Sequence, residues 1–281
     1  MPTPSTNPKT TIWIWPTGLF PRRILYYLRA QNITLSELLS QNIHLVPVVL
    51  DPIKNTLGVK EGKGYPALPE GMTVPCMYIA PSTSSSSEKE EEGGAREEDK
   101  GQWVRESISI ISYLEEIFCN NGSDEGRASI YGTTTSQRLK THDIVSTFSA
   151  DIVPNYITEL THTVSATKLW SHMKDEEMSA GAGAHARRRK QFYLGRLEDW
   201  VRRDVVECGM RSLSGEGREV TLADVLVMAQ VCYVQKYGWD VLEGCVVLKK
   251  WWAEAMKGEW WVGEEGLKGC EERGWKVVLG E

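Results

Sequence analysis

The chain has 281 residues, a net charge of −6 and six cysteines. It shows no apolar run long enough to span a membrane and no apolar core behind its Pro/Ser/Thr/Asn-rich start that would read as a secretory signal. The cysteines form no Cys-x-x-Cys pair and no Cys/His zinc spacing, which excludes a disulfide framework and predicts a reduced, cytoplasmic protein without a structural metal. The basic residues are scattered apart from Arg187-Arg188-Arg189-Lys190, a run at a predicted helix start that reads as a solvated face, so neither a nucleic acid nor a membrane is expected as a partner.

The first predicted element is a Thr/Ile/Trp-rich strand over 10–15. Pro16-Thr17-Gly18 breaks it, and Pro21 suits the first turn of a following helix, where a missing N–H costs nothing. Ile24, Leu25, Tyr27 and Leu28 give that helix an apolar face. Residues 43–50 read as a buried parallel strand, so the opening is β-α-β with a right-handed connection. Residues 51–65 are polar and irregular. A strand over 76–80 starts directly after Pro75, one of the few places a strand tolerates proline. A second strand over 102–105 follows, and 81–101, made mostly of Ser, Glu, Gly and Lys, is expected to be a disordered insertion in the hairpin between them. From Glu106 the pattern is helical, with stretches at 134–150, 154–167, 187–208, 222–237 and 246–256 and a flexible Ser/Ala/Gly break at 178–185. A small mixed sheet followed by helices predicts an α+β domain over 10–119 joined to an all-α domain over 128–281. Eleven tryptophans, five of them between 251 and 275, are read as core packing and tail docking.

The most informative stretch is Gln102-Trp103-Val104-Arg105-Glu106-Ser107-Ile108, a strand that stops at an acid and a hydroxyl just where a helix begins. Glu106 offers a negative charge to an amino group. The Ser107 hydroxyl and the free N–H groups of the helix start suit a carboxylate. Together they form a receptor for a zwitterion, although a serine at a helix start is also an ordinary cap.

The order of elements and four short motifs resemble the cytosolic glutathione transferase superfamily over nearly the whole chain. The motifs are the turn Trp15-Pro16-Thr17-Gly18-Leu19-Phe20-Pro21-Arg22-Arg23-Ile24, the loop Pro69-Glu70-Gly71-Met72-Thr73-Val74-Pro75, the pair Glu106-Ser107, and the capping motif Thr221-Leu222-Ala223-Asp224. The resemblance implies a thioredoxin-like N-terminal domain and an all-α helical-bundle C-terminal domain. It implies glutathione as substrate or cofactor, held by Val74, Pro75, Glu106 and Ser107, with a cis Val74-Pro75 bond that aims the Val74 backbone at a cysteinyl residue. It places the sulfur near Thr17, Gly18 and Leu19, the catalytic candidates. Phe148 and Asp151, near the end of the helix over 134–150, are candidates for the electrophile side of an interdomain cleft. A homodimer and no metal are expected.

The sulfur site departs from the family's Ser-type pattern, because Gly18 stands where the serine is expected. Thr17 is the adjacent hydroxyl, as a donor to a thiolate or as a turn residue bonded to its own backbone. The Leu19 and Phe20 N–H groups are further donors, whereas Pro21 has none. The expected activity is addition of the glutathione thiolate to an electrophilic carbon of a small hydrophobic molecule in specialised metabolism. A glutathione-dependent cis–trans isomerase of a conjugated double bond and a non-catalytic binding module are the alternatives. Cys76, in a strand, is read as a core residue, and the histidines form no metal or triad pattern. Thr221-Leu222-Ala223-Asp224 is read as a capping box opening a buried helix.

Overall fold

The computed structural model describes residues 7–51, 53–54, 56–60, 64–81, 101–119, 127–171 and 173–281. The chain forms two compact units. One comprises Met1–Asp51, Leu57–Gly126 and Val262–Glu281, and the other Pro52–Thr56 and Arg127–Trp261. The last twenty or so residues thus pack with the sheet, whereas the sequence boundary groups them with the helices. The expected insertion at 81–101 lies, its two end residues apart, outside the described residues.

The first unit opens with β1 (Thr10–Ile14), buried along its whole length, and α1 (Leu19–Ala30). Leu19 and every residue from Pro21 to Leu28 is buried, so α1 is enclosed on all faces and not on one stripe. A short α2 (Leu35–Ser40) follows, opened by a capping box in which the Thr34 hydroxyl accepts from the Glu37 N–H and the Glu37 carboxylate accepts from the Thr34 N–H. Next come β2 (Ile43–Asp51), β3 (Thr56–Val59), β4 (Cys76–Ile79), β5 (Gln102–Val104) and α3 (Ser107–Phe118). The sheet order is β3-β2-β1-β4-β5. β1 pairs parallel with β2 and antiparallel with β4, which pairs antiparallel with β5. This is the mixed sheet the sequence predicts. β3 is the addition: the stretch read as irregular contains an edge strand.

The second unit is helical. It runs through α4 (Thr135–Thr147), a π-helical turn Phe148–Ile152, α5 (Val153–Thr163), the single turn α6 (Lys168–Ser171), α7 (Ala180–Arg202), a second π-helical turn Arg203–Glu207, α8 (Leu222–Gln235) and α9 (Val246–Ala255). The expected break at 178–185 is instead the first turn and a half of α7. The Ser179 hydroxyl caps it by accepting from the Ala182 N–H, alanine favours helix, and Gly183 lets α7 lie against Thr163, where a Cβ would come within 2.7 Å. α8 is the unit's core helix, and its Thr221–Asp224 capping box forms as predicted. The Asp224 carboxylate accepts from the Leu213 and Thr221 N–H groups, the Ser212 hydroxyl and the Trp251 indole. Burial raises the Asp224 carboxyl above its ordinary value while these donors pull it back.

The chain then returns to the first unit. α10 (Glu264–Arg273) and α11 (Lys276–Leu279) close it. The Trp275 indole donates to the Leu45 carbonyl of β2, the Tyr26 hydroxyl to the Val262 carbonyl, and Arg29 to the Val278 carbonyl. Among the described residues no helix is long and apolar enough to cross a membrane.

Candidate functional site

Strand directions bring three of the predicted motifs to one edge of the sheet. β1 and β5 run the same way, because each is antiparallel to β4. The helices that follow them, α1 and α3, therefore start at the same edge, and β4 begins there. Trp13 pairs with Cys76, and Met77 with Val104. Continuing these registers by one or two steps sets Ile14, Pro75 and Glu106 side by side across three strands. The Val74-Pro75 peptide is cis.

At α3 the cap is Glu106, in extended conformation (φ −99°, ψ 132°), and it makes no side-chain cap bond. Ser107 is the first helical residue and is buried. The Glu106 side chain is exposed. The acid and the hydroxyl thus stand at the helix start as the sequence predicts.

At α1 the cap is Gly18, extended (φ −72°, ψ 153°) and without a side chain to cap with. The first N–H groups of the helix, Leu19 and Phe20, have no carbonyl one turn earlier within it. A Cβ on Gly18 would lie 3.0 Å from the Trp15 ring, 3.1 Å from Pro21 Cδ and 3.1 Å from the Trp15 carbonyl. The Gly18 N–H already donates to that carbonyl at 2.9 Å. Crowding by Trp15 is thus a physical reason for glycine at the position where a serine is expected.

The Thr17 hydroxyl does not bond to its own backbone. It donates to Glu271 Oε1 of α10 at 3.2 Å. Burial raises the Glu271 carboxyl above its ordinary value, the Thr17 hydroxyl opposes the shift, and Glu264 and Glu272 add to it. Arg22, fully buried, binds the turn from below: Nη2 donates to the Thr17 carbonyl at 2.8 Å and to Glu264 Oε2 at 2.9 Å, and Nε to the Gly18 carbonyl at 3.2 Å. The C-terminal segment therefore reaches the turn between β1 and α1 through Glu264 and Glu271. Neither was a candidate from sequence, since contacts across more than 240 positions leave no periodic signal.

Cys76 is buried, packs with Trp13, Val46 and Val48, and its thiol is pushed up to about 11 by that burial, as expected of a core residue. Phe148 and Asp151 lie in the first π-helical turn of the second unit, Phe148 buried and Asp151 half-buried. They are not brought together with the other candidates within one unit. Among the described residues no group of three or more His, Cys, Asp or Glu is placed to hold a metal ion.

No protein-family model matches the sequence, and no curated protein does. Solved structures do match. A Gtt2-class glutathione S-transferase of Vibrio parahaemolyticus superposes with a TM-score of 0.55 at 12% identity, over 92% of this chain and 98% of that one. Human glutathione S-transferase T1-1, in its apo form, gives 0.54 at 14% identity over 96% and 89%. FzlA from C. crescentus gives 0.53 at 14% identity over 89% and 88%. At these identities the likeness shows the fold: a thioredoxin-like N-terminal part and a helical C-terminal part.

Proposed function

We propose that this chain, which has the glutathione transferase fold, binds glutathione on its first unit and adds the thiolate to an electrophilic carbon of a small hydrophobic molecule. The observation that carries the reading is the meeting of the α1 start, the Val74-Pro75 peptide and the Glu106-Ser107 helix start at one sheet edge. Two strand spacings, roughly 10 Å, separate β1 from β5. An extended tripeptide spans roughly the same length. In this reading the γ-glutamyl zwitterion meets Glu106 and Ser107, the cysteinyl backbone pairs with Val74 beside Pro75, and the sulfur reaches Thr17, Gly18 and Leu19. A free thiol has a pKa of about 8.5, so the site must favour the thiolate. The α1 N-terminus, with its Leu19 and Phe20 N–H groups, supplies that bias.

A second reading, a glutathione-binding module without turnover, is favoured by one observation: Gly18 has no hydroxyl and Thr17 has given its own to Glu271. Calorimetry with glutathione tests the shared premise. Glu106→Ala should weaken binding at least tenfold, since a charged hydrogen-bond partner contributes about 1.5–3 kcal/mol; an unchanged dissociation constant would defeat both readings. Incubation with glutathione and a panel of unsaturated carbonyl compounds, followed by mass detection, then separates the rest. An adduct mass supports conjugation, an unchanged mass with a shifted retention time supports double-bond isomerisation, and no reaction supports the module.

A further inference from the structure

We propose that the exposed face of α7 docks an acidic amphipathic helix of a protein partner, with Arg189, Arg196 and Arg203 meeting its carboxylates and Phe192 and Trp200 its apolar side chains. The inference stands apart from the glutathione reading and concerns the second unit alone.

Residues 178–197 hold five basic side chains and no acidic one, in a chain of net charge −6. The structure divides the run Arg187-Arg188-Arg189-Lys190. Arg187 Nε and Lys190 Nζ turn to the buried Glu159 of α5 and donate to its two oxygens at 2.6 and 2.5 Å. These bonds fix the rotation of α7 and leave Arg189 outside. Steps of three and four residues keep to one face of a helix. They lead from Arg189 through Phe192, Arg196 and Trp200 to Arg203, the residue just past the helix end. All five are exposed, Phe192 to 61%. Cation and ring thus alternate along roughly 21 Å.

Among the described residues none of these three arginines pairs with a carboxylate. The neighbouring Asp199 is held by Arg202 at 3.6 Å. The stripe is braced all the same. Arg189 Nη2 donates to the Tyr193 hydroxyl at 2.9 Å, Arg196 Cζ lies 6.0 Å from the Phe192 ring centre, and Lys140 Nζ lies 5.9 Å from that of Trp200. Guanidinium groups already resting on rings lose less freedom on binding.

The spacing selects the partner. The arginines recur every seven residues, about 10.5 Å apart along the axis. A second helix lying alongside presents acidic residues at the same interval, with apolar ones between them at the level of Phe192 and Trp200. Carboxylates also match the planar donors of a guanidinium. Phosphates of a duplex strand follow at about 3.4 Å of axis, and two rings among arginines give a bilayer little to bury.

Fluorescence anisotropy with a labelled synthetic helix tests this, its glutamates seven residues apart and leucines between them, beside a peptide of the same composition in scrambled order. The full chain should bind the ordered peptide at least about tenfold more tightly than the scrambled one, which cannot meet all five side chains at once. Arg196→Glu should weaken the ordered peptide at least about tenfold, since like charges across an interface are costly. A peptide with its central glutamate changed to lysine should restore most of that loss in the variant. Phe192→Ala should weaken binding severalfold. Equal binding of the two peptides, no binding of either, or an Arg196→Glu variant that binds as the wild type does would overturn the inference. So would tighter binding of single-stranded DNA or of phosphatidylserine vesicles than of the ordered peptide, which would assign the face to a nucleic acid or a membrane.

Discussion

Thr17 donates to Glu271, so its hydroxyl is committed before any thiol arrives. Removing a sole transition-state donor typically costs 10²–10³ in turnover. Thr17→Val should cost less than about tenfold and should leave the pKa of bound glutathione, followed by thiolate absorbance, close to the wild-type value, because the helix N-terminus remains. Gly18→Ser restores the hydroxyl of the Ser-type pattern but crowds Trp15 and Pro21. It should lower stability by about 1–3 kcal/mol in chemical denaturation, the range for overpacking, and should not raise turnover. Glu271 gives a pH signature. Its folded-state pKa is raised above the unfolded value, so the native state holds the proton more tightly. Its contribution to stability is fully present below the unfolded pKa, near the ordinary glutamate value, and is lost as pH rises through the folded one. Glu271→Gln should flatten the melting temperature across that mildly acidic window, and an unaltered profile would show that another group sets it.

Elements that carry a local signal were legible. The capping box of α8 is spelled by Thr221 and Asp224 three positions apart, and the helix follows. Asp224→Ala strands five donors in the interior and should cost at least about 3 kcal/mol, read as a shifted denaturation midpoint. The α3 start was legible for the same reason, an acid and a hydroxyl before an apolar stripe. The opening of α7 was not: alternating Ala and Gly reads as a break, and only the Ser179 cap and the closeness of Thr163 turn it into a helix. β3 was missed because it is an edge strand of only four residues, too short to stand out from the polar, Gly- and Lys-containing stretch around it. Arg23 reads as surface from sequence, as an arginine on a helix does, and only the tertiary structure buries it.

On the scale of the whole molecule, the first unit is discontinuous. Its last segment supplies Glu264 to the fully buried Arg22, so Glu264→Ala should cost about 1.5–3 kcal/mol, the usual worth of a charged hydrogen bond, while leaving the second unit's hydrogen exchange unchanged. Deleting Val262–Glu281 should loosen α1 and β2, seen as faster amide exchange over both.

The closing segment also sets a timetable. On the ribosome the sheet emerges first, the helical unit next and Val262–Glu281 last. At about 5–20 residues per second, the residues between the α3 region and the tail take roughly 7–27 s to make. For that interval the nascent sheet presents Arg22, Tyr26 and the Leu45 carbonyl without the partners that later cover them. A message truncated shortly before codon 262 would yield a chain with nearly all of its sequence and a permanently open first unit, a ready target for chaperones and proteases.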